Sequence, residues 1–234
     1  MPVLPPSTAF RGAPSRRAAL ALAGRAGAAL ALVALAGQAG MAFAAPRPAA
    51  ILNDDDLRDV KRIEDYLNGI RTLKGRFQQY SENGGLVYGS IYLRRPGRLR
   101  VEYDPPVPAL IVADGTWASY YDKELDQLNQ LPLGSTPAWF LLRDPVTLRD
   151  GITITSMKRA PGALQVEMYQ TRDPDAGVVR LIFADNPLEL RHWYITDSTG
   201  KEIHIGLDQA ATGMELSNNL FVTPEAGRNR GSHK

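Results

Sequence analysis

The sequence has 234 residues, of which 44% are hydrophobic and 22% charged, a composition that predicts a folded globular chain rather than a disordered one. It contains no cysteine, which excludes disulfides, thiolate metal sites, a cysteine nucleophile and a lipid anchor on an N-terminal cysteine. The formal charge of +2 comes from residues 1–45, which hold four arginines and no acid, and the remaining 23 bases and 25 acids form a mildly acidic body that argues against nucleic-acid binding.

Residues 1–44 have the layout of a signal peptide. Arg16-Arg17 precedes an apolar run at residues 28–36, and Ala42-Phe43-Ala44 offers a small-x-small cleavage site. The alternative is a membrane-anchoring helix, but this run is shorter than the roughly 20 apolar residues that span a bilayer. We therefore expect export to the periplasm by a cleavable leader, through either the general or the twin-arginine route, and a mature protein that begins near Ala45.

A helix is predicted to follow a short lead-in rich in proline and alanine. Asp54 or Asp55 is the expected N-cap, and the acids of this segment lie where the helix dipole favours them. Apolar residues recur at steps of three and four and form one stripe, which consists of Leu57, Val60, Ile63, Leu67 and Ile70. The stripe predicts that this helix packs against an apolar surface.

From Leu73 onward the apolar period changes to two, which is typical of strands. Val87, Ile91 and Leu93 share one face with Arg95, and the next strand alternates Leu99, Val101 and Tyr103 with charged residues. Further strands are predicted at residues 109–113, 117–121, 127–131, 152–158, 164–170, 178–184, 188–196 and 202–207. Turn residues separate them at hairpin spacing, so we expect a mostly antiparallel meander of about ten strands.

The predicted fold class is α+β, mainly antiparallel β: an unclosed half-barrel whose concave face is covered by short helices. Strand twist accumulates in a long meander and curls the sheet, so that one face becomes concave. A second, short apolar helix is predicted at residues 137–142, with proline at its first position. The chain then divides into the leader, one domain at residues 45–227 and a basic tail at residues 228–234.

The search for catalytic chemistry finds no candidate site. His192 and His204 lie in separate predicted strands without a metal-ligand spacing, and His233 lies in the basic tail. No nucleophile signature occurs, and the glycine pairs lack the strand–loop–helix context of a phosphate site. We therefore expect a protein that is not an enzyme and that uses no metal and no cofactor.

Several segments in chain order resemble the LolA family of periplasmic lipoprotein carriers. The main one is GSIYLRRPGRLRVEY at residues 89–103, in which a strand ends in a basic residue, arginine and proline before an amphipathic strand. Other segments that resemble the family are LKGRFQQ at 73–79, IVADG at 111–115, YYD at 120–122, TPAWFLL at 136–142 and NLFVTP at 219–224. The chain departs from the family in lacking its fuller C-terminal strand.

The resemblance implies an unclosed antiparallel barrel that carries acylated lipoproteins from an inner-membrane ABC exporter to an outer-membrane acceptor. We expect a monomer, and the charge distribution argues against a nucleic-acid partner. The alternative is a carrier or sensor of the same architecture for another lipid or glycolipid. A periplasmic hydrolase is a third possibility, but it would need a polar site that the sequence does not show.

The resemblance also assigns candidate site residues. The key arginine of the family falls on Arg95, whose guanidinium is predicted to bond backbone carbonyls of the cover and hold the empty cavity shut. The predicted acyl-chain ligands are Ile91, Leu93, Leu99, Val101, Tyr103, Trp139, Phe140 and Leu142. Two alternatives stay open: Arg95 as a strand-end arginine in solvent, and the two apolar helices as a permanently packed core.

Overall fold

The computed structural model describes residues 47–81, 84–137 and 139–225. The predicted signal peptide and basic tail lie outside these residues. Within the described part, no helix combines the length and the apolar character needed to cross a membrane.

The one α-helix of the described residues, α1 (Asp54–Gly69), lies across the concave face of the sheet. Its N-cap is Asn53, one residue before the predicted Asp54 or Asp55. The Asn53 side chain accepts from the Asp56 backbone N–H at 2.9 Å, and the Asp56 carboxylate accepts from the Asn53 N–H at 3.0 Å. This reciprocal capping box satisfies two N–H groups at once. Asp54 could not form such a box, because the residue three positions after it has no side chain that accepts a hydrogen bond. The buried apolar face of α1 consists of Val60, Ile63 and Leu67.

Eleven antiparallel strands form a single unclosed sheet. They are β1 (Thr72–Ser81), β2 (Leu86–Arg94), β3 (Arg98–Tyr103), β4 (Ala109–Asp114), β5 (Trp117–Asp122), β6 (Gln127–Pro132), β7 (Ile152–Ala160), β8 (Ala163–Gln170), β9 (Val178–Ala184), β10 (Glu189–Thr196) and β11 (Glu202–Thr212). The spatial order is β6-β5-β4-β3-β2-β1-β11-β10-β9-β8-β7. Two meanders are thus joined where β1 pairs with β11, and β6 and β7 are the two edges.

The predicted fold class is confirmed, with two differences in detail. The sheet has eleven strands rather than about ten. The second predicted helix is a 3-10 helix at Trp139–Leu142, a single turn. A longer helix is prevented because Pro145 follows closely, and a proline disfavours helical backbone in the residue before it.

The two faces of the sheet carry separate apolar clusters. The concave face and α1 share the main core, which includes Phe77, Ile91 and Leu181. On the convex face a small cluster of Leu110 and Val112 forms with neighbouring side chains of β5 and β6, and a C-terminal 3-10 helix at Asn218–Phe221 contacts β3 and β4. The main core is therefore the one that the helix and the sheet enclose together.

Candidate ligand cavity

An apolar cavity of about 170 Å³ lies between the concave sheet, α1 and the chain that joins β6 to β7. We call this joining chain, residues 133–151, the cover segment. The cavity wall is built from inward-facing side chains of both meanders, because alternate residues of each strand point to the same face. The principal lining residues are Leu73, Phe77, Ile91, Leu93, Leu99, Val101, Tyr103, Ile111, Ala113, Trp193, Ile195, Ile205 and Leu207 from the sheet, and Leu67, Ile70, Leu141 and Leu142 from α1 and the cover segment.

The cavity is small in comparison with a long acyl chain. An engineered apolar cavity of about 150 Å³ stays dry and admits a molecule of the size of benzene. A long acyl chain has more carbon atoms than benzene, so the present volume accepts only a short part of one. A longer apolar ligand requires α1 or the cover segment to move.

Six of the eight predicted ligand-binding residues line this cavity, which are Ile91, Leu93, Leu99, Val101, Tyr103 and Leu142. Trp139 and Phe140 do not line it. Phe140 is 0% exposed and packs in the core, and the Trp139 ring lies against the guanidinium groups of Arg143 at 4.6 Å and Arg172 at 5.4 Å. The reason is the 3-10 geometry, in which three residues make a turn and successive side chains point in different directions.

The sequence prediction missed the part of the wall that comes from β10 and β11. Ile195, Ile205 and Leu207 line the cavity because β1 pairs with β11 and brings the second meander beside the first. The alternation of Ile203, Ile205 and Leu207 in the sequence was a usable signal for an inward face. Which strand they adjoin depended on a pairing between residues far apart in the chain.

Arg95 lies inside the structure, 9% exposed, at the end of β2. Its Nε donates to the Leu141 carbonyl at 2.8 Å, and its Nη1 donates to the carbonyls of Leu67 and Ile70. Leu67 and Ile70 belong to the C-terminal end of α1, where carbonyls lack helical partners and the helix dipole attracts a cation. One guanidinium thus joins the end of α1 to the cover segment.

The charge on Arg95 is held by neutral acceptors rather than by a direct ion pair. Its hydrogen bonds within the described residues go to backbone carbonyls. Burial lowers the pKa of Arg95 to about 10, nearby Asp144 opposes the shift, and nearby Arg71 adds to it. The group stays protonated at neutral pH. When these bonds break, no buried carboxylate is left without its partner.

Further hydrogen bonds attach the cover segment at three places. The Gly97 N–H donates to the Leu142 carbonyl at 2.7 Å beside the Arg95 contact. The Gln170 amide donates to the carbonyls of Gly134 at 3.0 Å and Thr136 at 3.1 Å. The Asn68 side chain of α1 exchanges two hydrogen bonds with the backbone of Val146, at 2.9 and 2.8 Å. The cover segment is therefore tied to β8, to α1 and to the turn between β2 and β3.

Besides Arg95, the polar residues of the cavity wall include one hydrogen-bonded pair, Tyr103 and Gln79. The Tyr103 hydroxyl donates to the Gln79 side-chain carbonyl at 2.7 Å, and both residues line the cavity. Burial raises the pKa of Tyr103, so the hydroxyl stays protonated and remains a donor. The pair is internally bonded, which lets two polar groups lie in an apolar wall.

An unclosed antiparallel sheet with a helix over an apolar concavity defines a half-barrel with an internal apolar cavity. The family model described as "Outer membrane lipoprotein carrier protein LolA" matches residues 68–224. A curated relative from Dechloromonas aromatica is 32% identical over 72% of this chain and 85% of its own length. A relative from Methylococcus capsulatus is 29% identical over 71% of this chain and 84% of its own length. Both are described as outer-membrane lipoprotein carrier proteins. The chain therefore belongs to the LolA family, as the resemblance predicted.

Proposed function

We propose that this protein is a periplasmic carrier that binds the acyl chains of lipoproteins in the cavity and ferries them from the inner to the outer membrane. The observation that carries the proposal is an apolar cavity beside which a buried arginine hydrogen-bonds to backbone carbonyls of α1 and of the cover segment. Family membership and the descriptions of the relatives support the same function.

The physical case rests on the cost of moving acyl chains through water. Each methylene that leaves water contributes about 0.8 kcal/mol, so a chain of many methylenes needs a dry wall throughout the transfer. The cavity wall supplies such a surface from both meanders. The acyl chains would displace α1 or the cover segment and occupy the space that this motion opens.

Arg95 would act as the latch of the empty carrier. In the closed state its guanidinium holds Leu67, Ile70 and Leu141 together. Cargo that opens the cavity breaks these bonds and replaces them with apolar contacts. The bonds reform when cargo leaves, which favours release because the closed empty state is the stable one.

The partners follow from what the chain lacks. The sequence shows no nucleotide-binding loop, so loading needs an outside energy source, for which we propose an inner-membrane ABC lipoprotein exporter. An outer-membrane lipoprotein acceptor would take the cargo at the other side.

Export by a cleavable leader predicts that the protein isolated from the periplasm begins near Ala45, which N-terminal sequencing checks.

Mass spectrometry of the protein purified from the periplasm under native conditions tests the proposal. We expect a one-to-one complex with an acylated lipoprotein, which chloroform–methanol extraction should separate into protein and cargo. A co-purified free glycolipid would instead favour the alternative carrier or sensor of another lipid. Turnover of a lipid ester by the purified protein would contradict a carrier.

A further inference from the structure

Two histidines that the sequence places far from any metal-ligand spacing are neighbours on the convex face. β10 and β11 pair so that His192 lies opposite Gly206, and Tyr194 opposite His204. The His192 and His204 rings are therefore diagonal neighbours, and the Nδ1 of His192 lies 3.1 Å from the Nε2 of His204. The short separation depends on the strand register, which is why the sequence spacing did not indicate it.

The His204 ring is fixed in place before any ligand arrives. It stacks on Tyr194 at 4.3 Å between centroids and 7° between planes, and on Tyr80 at 5.2 Å and 19°.

The distance between the two nitrogens fits a shared metal ion. Zinc–imidazole bonds are about 2.0–2.1 Å long, so two nitrogens on one ion at angles of roughly 90–110° lie about 2.8–3.4 Å apart. The observed 3.1 Å is a hydrogen bond between the two rings, and the same separation falls within this range. His192 is exposed, so its ring can turn its lone pair from His204 toward a shared ion.

Open space next to the pair is provided by Gly206. A Cβ at that position would lie 3.3 Å from the Nδ1 of His192, so any side chain there would crowd the nitrogen. The resulting pocket is also lined by Gln78 and Asp208. Arg191 borders the pocket as well, but its guanidinium is paired with the Glu189 carboxylate at 2.7 Å, which reduces its repulsion of a cation.

We propose that His192 and His204 chelate one divalent late transition-metal ion, Zn(II) or Cu(II), in the pocket over Gly206. Imidazole nitrogen is a preferred ligand of both ions. In the described part of the chain, no three His, Cys, Asp or Glu side chains converge closely enough to form a larger ligand set. Water would therefore complete the coordination. The site lies on the face opposite the cavity and does not depend on the proposed function.

Isothermal titration of the purified protein, without a polyhistidine tag, with ZnCl2 and CuCl2 tests the site. We expect one equivalent of each ion to bind, with Cu(II) tighter than Zn(II). His192→Ala and His204→Phe should each weaken binding by at least about tenfold, since even loss of outer-shell partners has effects of this order. The phenylalanine keeps an aromatic ring between the two tyrosines, so this variant should fold, which circular dichroism checks.

The third histidine of the chain provides the matched control. His233→Ala should bind the ions as the unaltered protein does. The proposal is overturned if the protein shows no saturable binding, if either pocket variant keeps the original affinity, or if the His233 variant loses it.

Discussion

Replacement of Arg95 by leucine tests whether this residue keeps the cavity closed or is only part of a permanently packed core. The guanidinium donates three hydrogen bonds, and each bond from a charged donor contributes about 1.5–3 kcal/mol, or about 4.5–9 kcal/mol together. Burial opposes this gain, because lowering the pKa from 12.5 to about 10 corresponds to about 3.4 kcal/mol. The net stabilisation of the closed state is then about 1–6 kcal/mol.

Even the lower value, about 1 kcal/mol, changes the open population by about fivefold, since about 1.4 kcal/mol is a factor of ten. A ligand that binds only the open state gains apparent affinity in the same proportion. Arg95→Leu should therefore bind a fluorescent long-chain fatty acid at least about fivefold more tightly than the unaltered protein. It should also bind lipoprotein cargo yet fail to release it to acceptor vesicles.

Arg94→Leu is the matched control for this experiment. Arg94 is the adjacent residue and points to the convex face, where its guanidinium donates to the Leu216 carbonyl at 2.8 Å and lies 4.9 Å from the Phe221 ring. Its loss should leave fatty-acid affinity unchanged. If folded Arg95→Leu protein had the same affinity and release as the unaltered protein, Arg95 would be part of a permanent core and the latch would be refuted.

Three further variants test other parts of the structure. Gly89→Ala should lower the free energy of unfolding by about 1–3 kcal/mol in urea melts, because a Cβ there would lie 2.4 Å from the Glu102 carbonyl. The N-cap backbone hydrogen bond and Arg159 lower the pKa of Asp56. The contribution of Asp56 to the free energy of unfolding is therefore present above its unfolded pKa near 3.8 and is lost as pH falls through the lower folded value. Asp56→Asn should flatten that part of the acid stability profile, and an unchanged profile would contradict the assignment. Gln170→Leu removes the side-chain donor to the Thr136 carbonyl and one of the two donors to the Gly134 carbonyl, which keeps Arg172 at 2.9 Å. The loss should speed amide exchange in the cover segment while β1 and β11 stay protected.

Local patterns in the sequence predicted most of the strands and much of the cavity wall. Ile91 and Leu93, and Leu99 and Val101 after them, alternate in a way that requires one inward face, and the structure places all four on the cavity. Trp139 and Phe140 do not line the cavity, which the sequence could not show because a run of apolar residues does not reveal which helical geometry it adopts. In the 3-10 turn Leu141 and Leu142 face the cavity, and the Trp139 ring packs against two arginines.

Long-range pairing could not be predicted in the same way. Tyr80 of β1 lies opposite His204 of β11, yet nothing local to either residue specifies the other. The same pairing brings Ile205 to the cavity and, with the register of β10, His192 to His204. Features that depend on the meeting of two distant segments therefore appear only in the structure.

The pairing of β1 with β11 also has a consequence for the order in which the protein can fold. The other neighbouring strands are successive in the chain, so they can form hairpins early. The pairing of β1 with β11 can form only when both ends of the domain are present. Closing such a long loop carries an entropic penalty and slows folding. Until then each half-sheet leaves an open inner edge, where strands of other molecules can add. Pairing with strands of other molecules should therefore be most frequent while β11 is still unpaired.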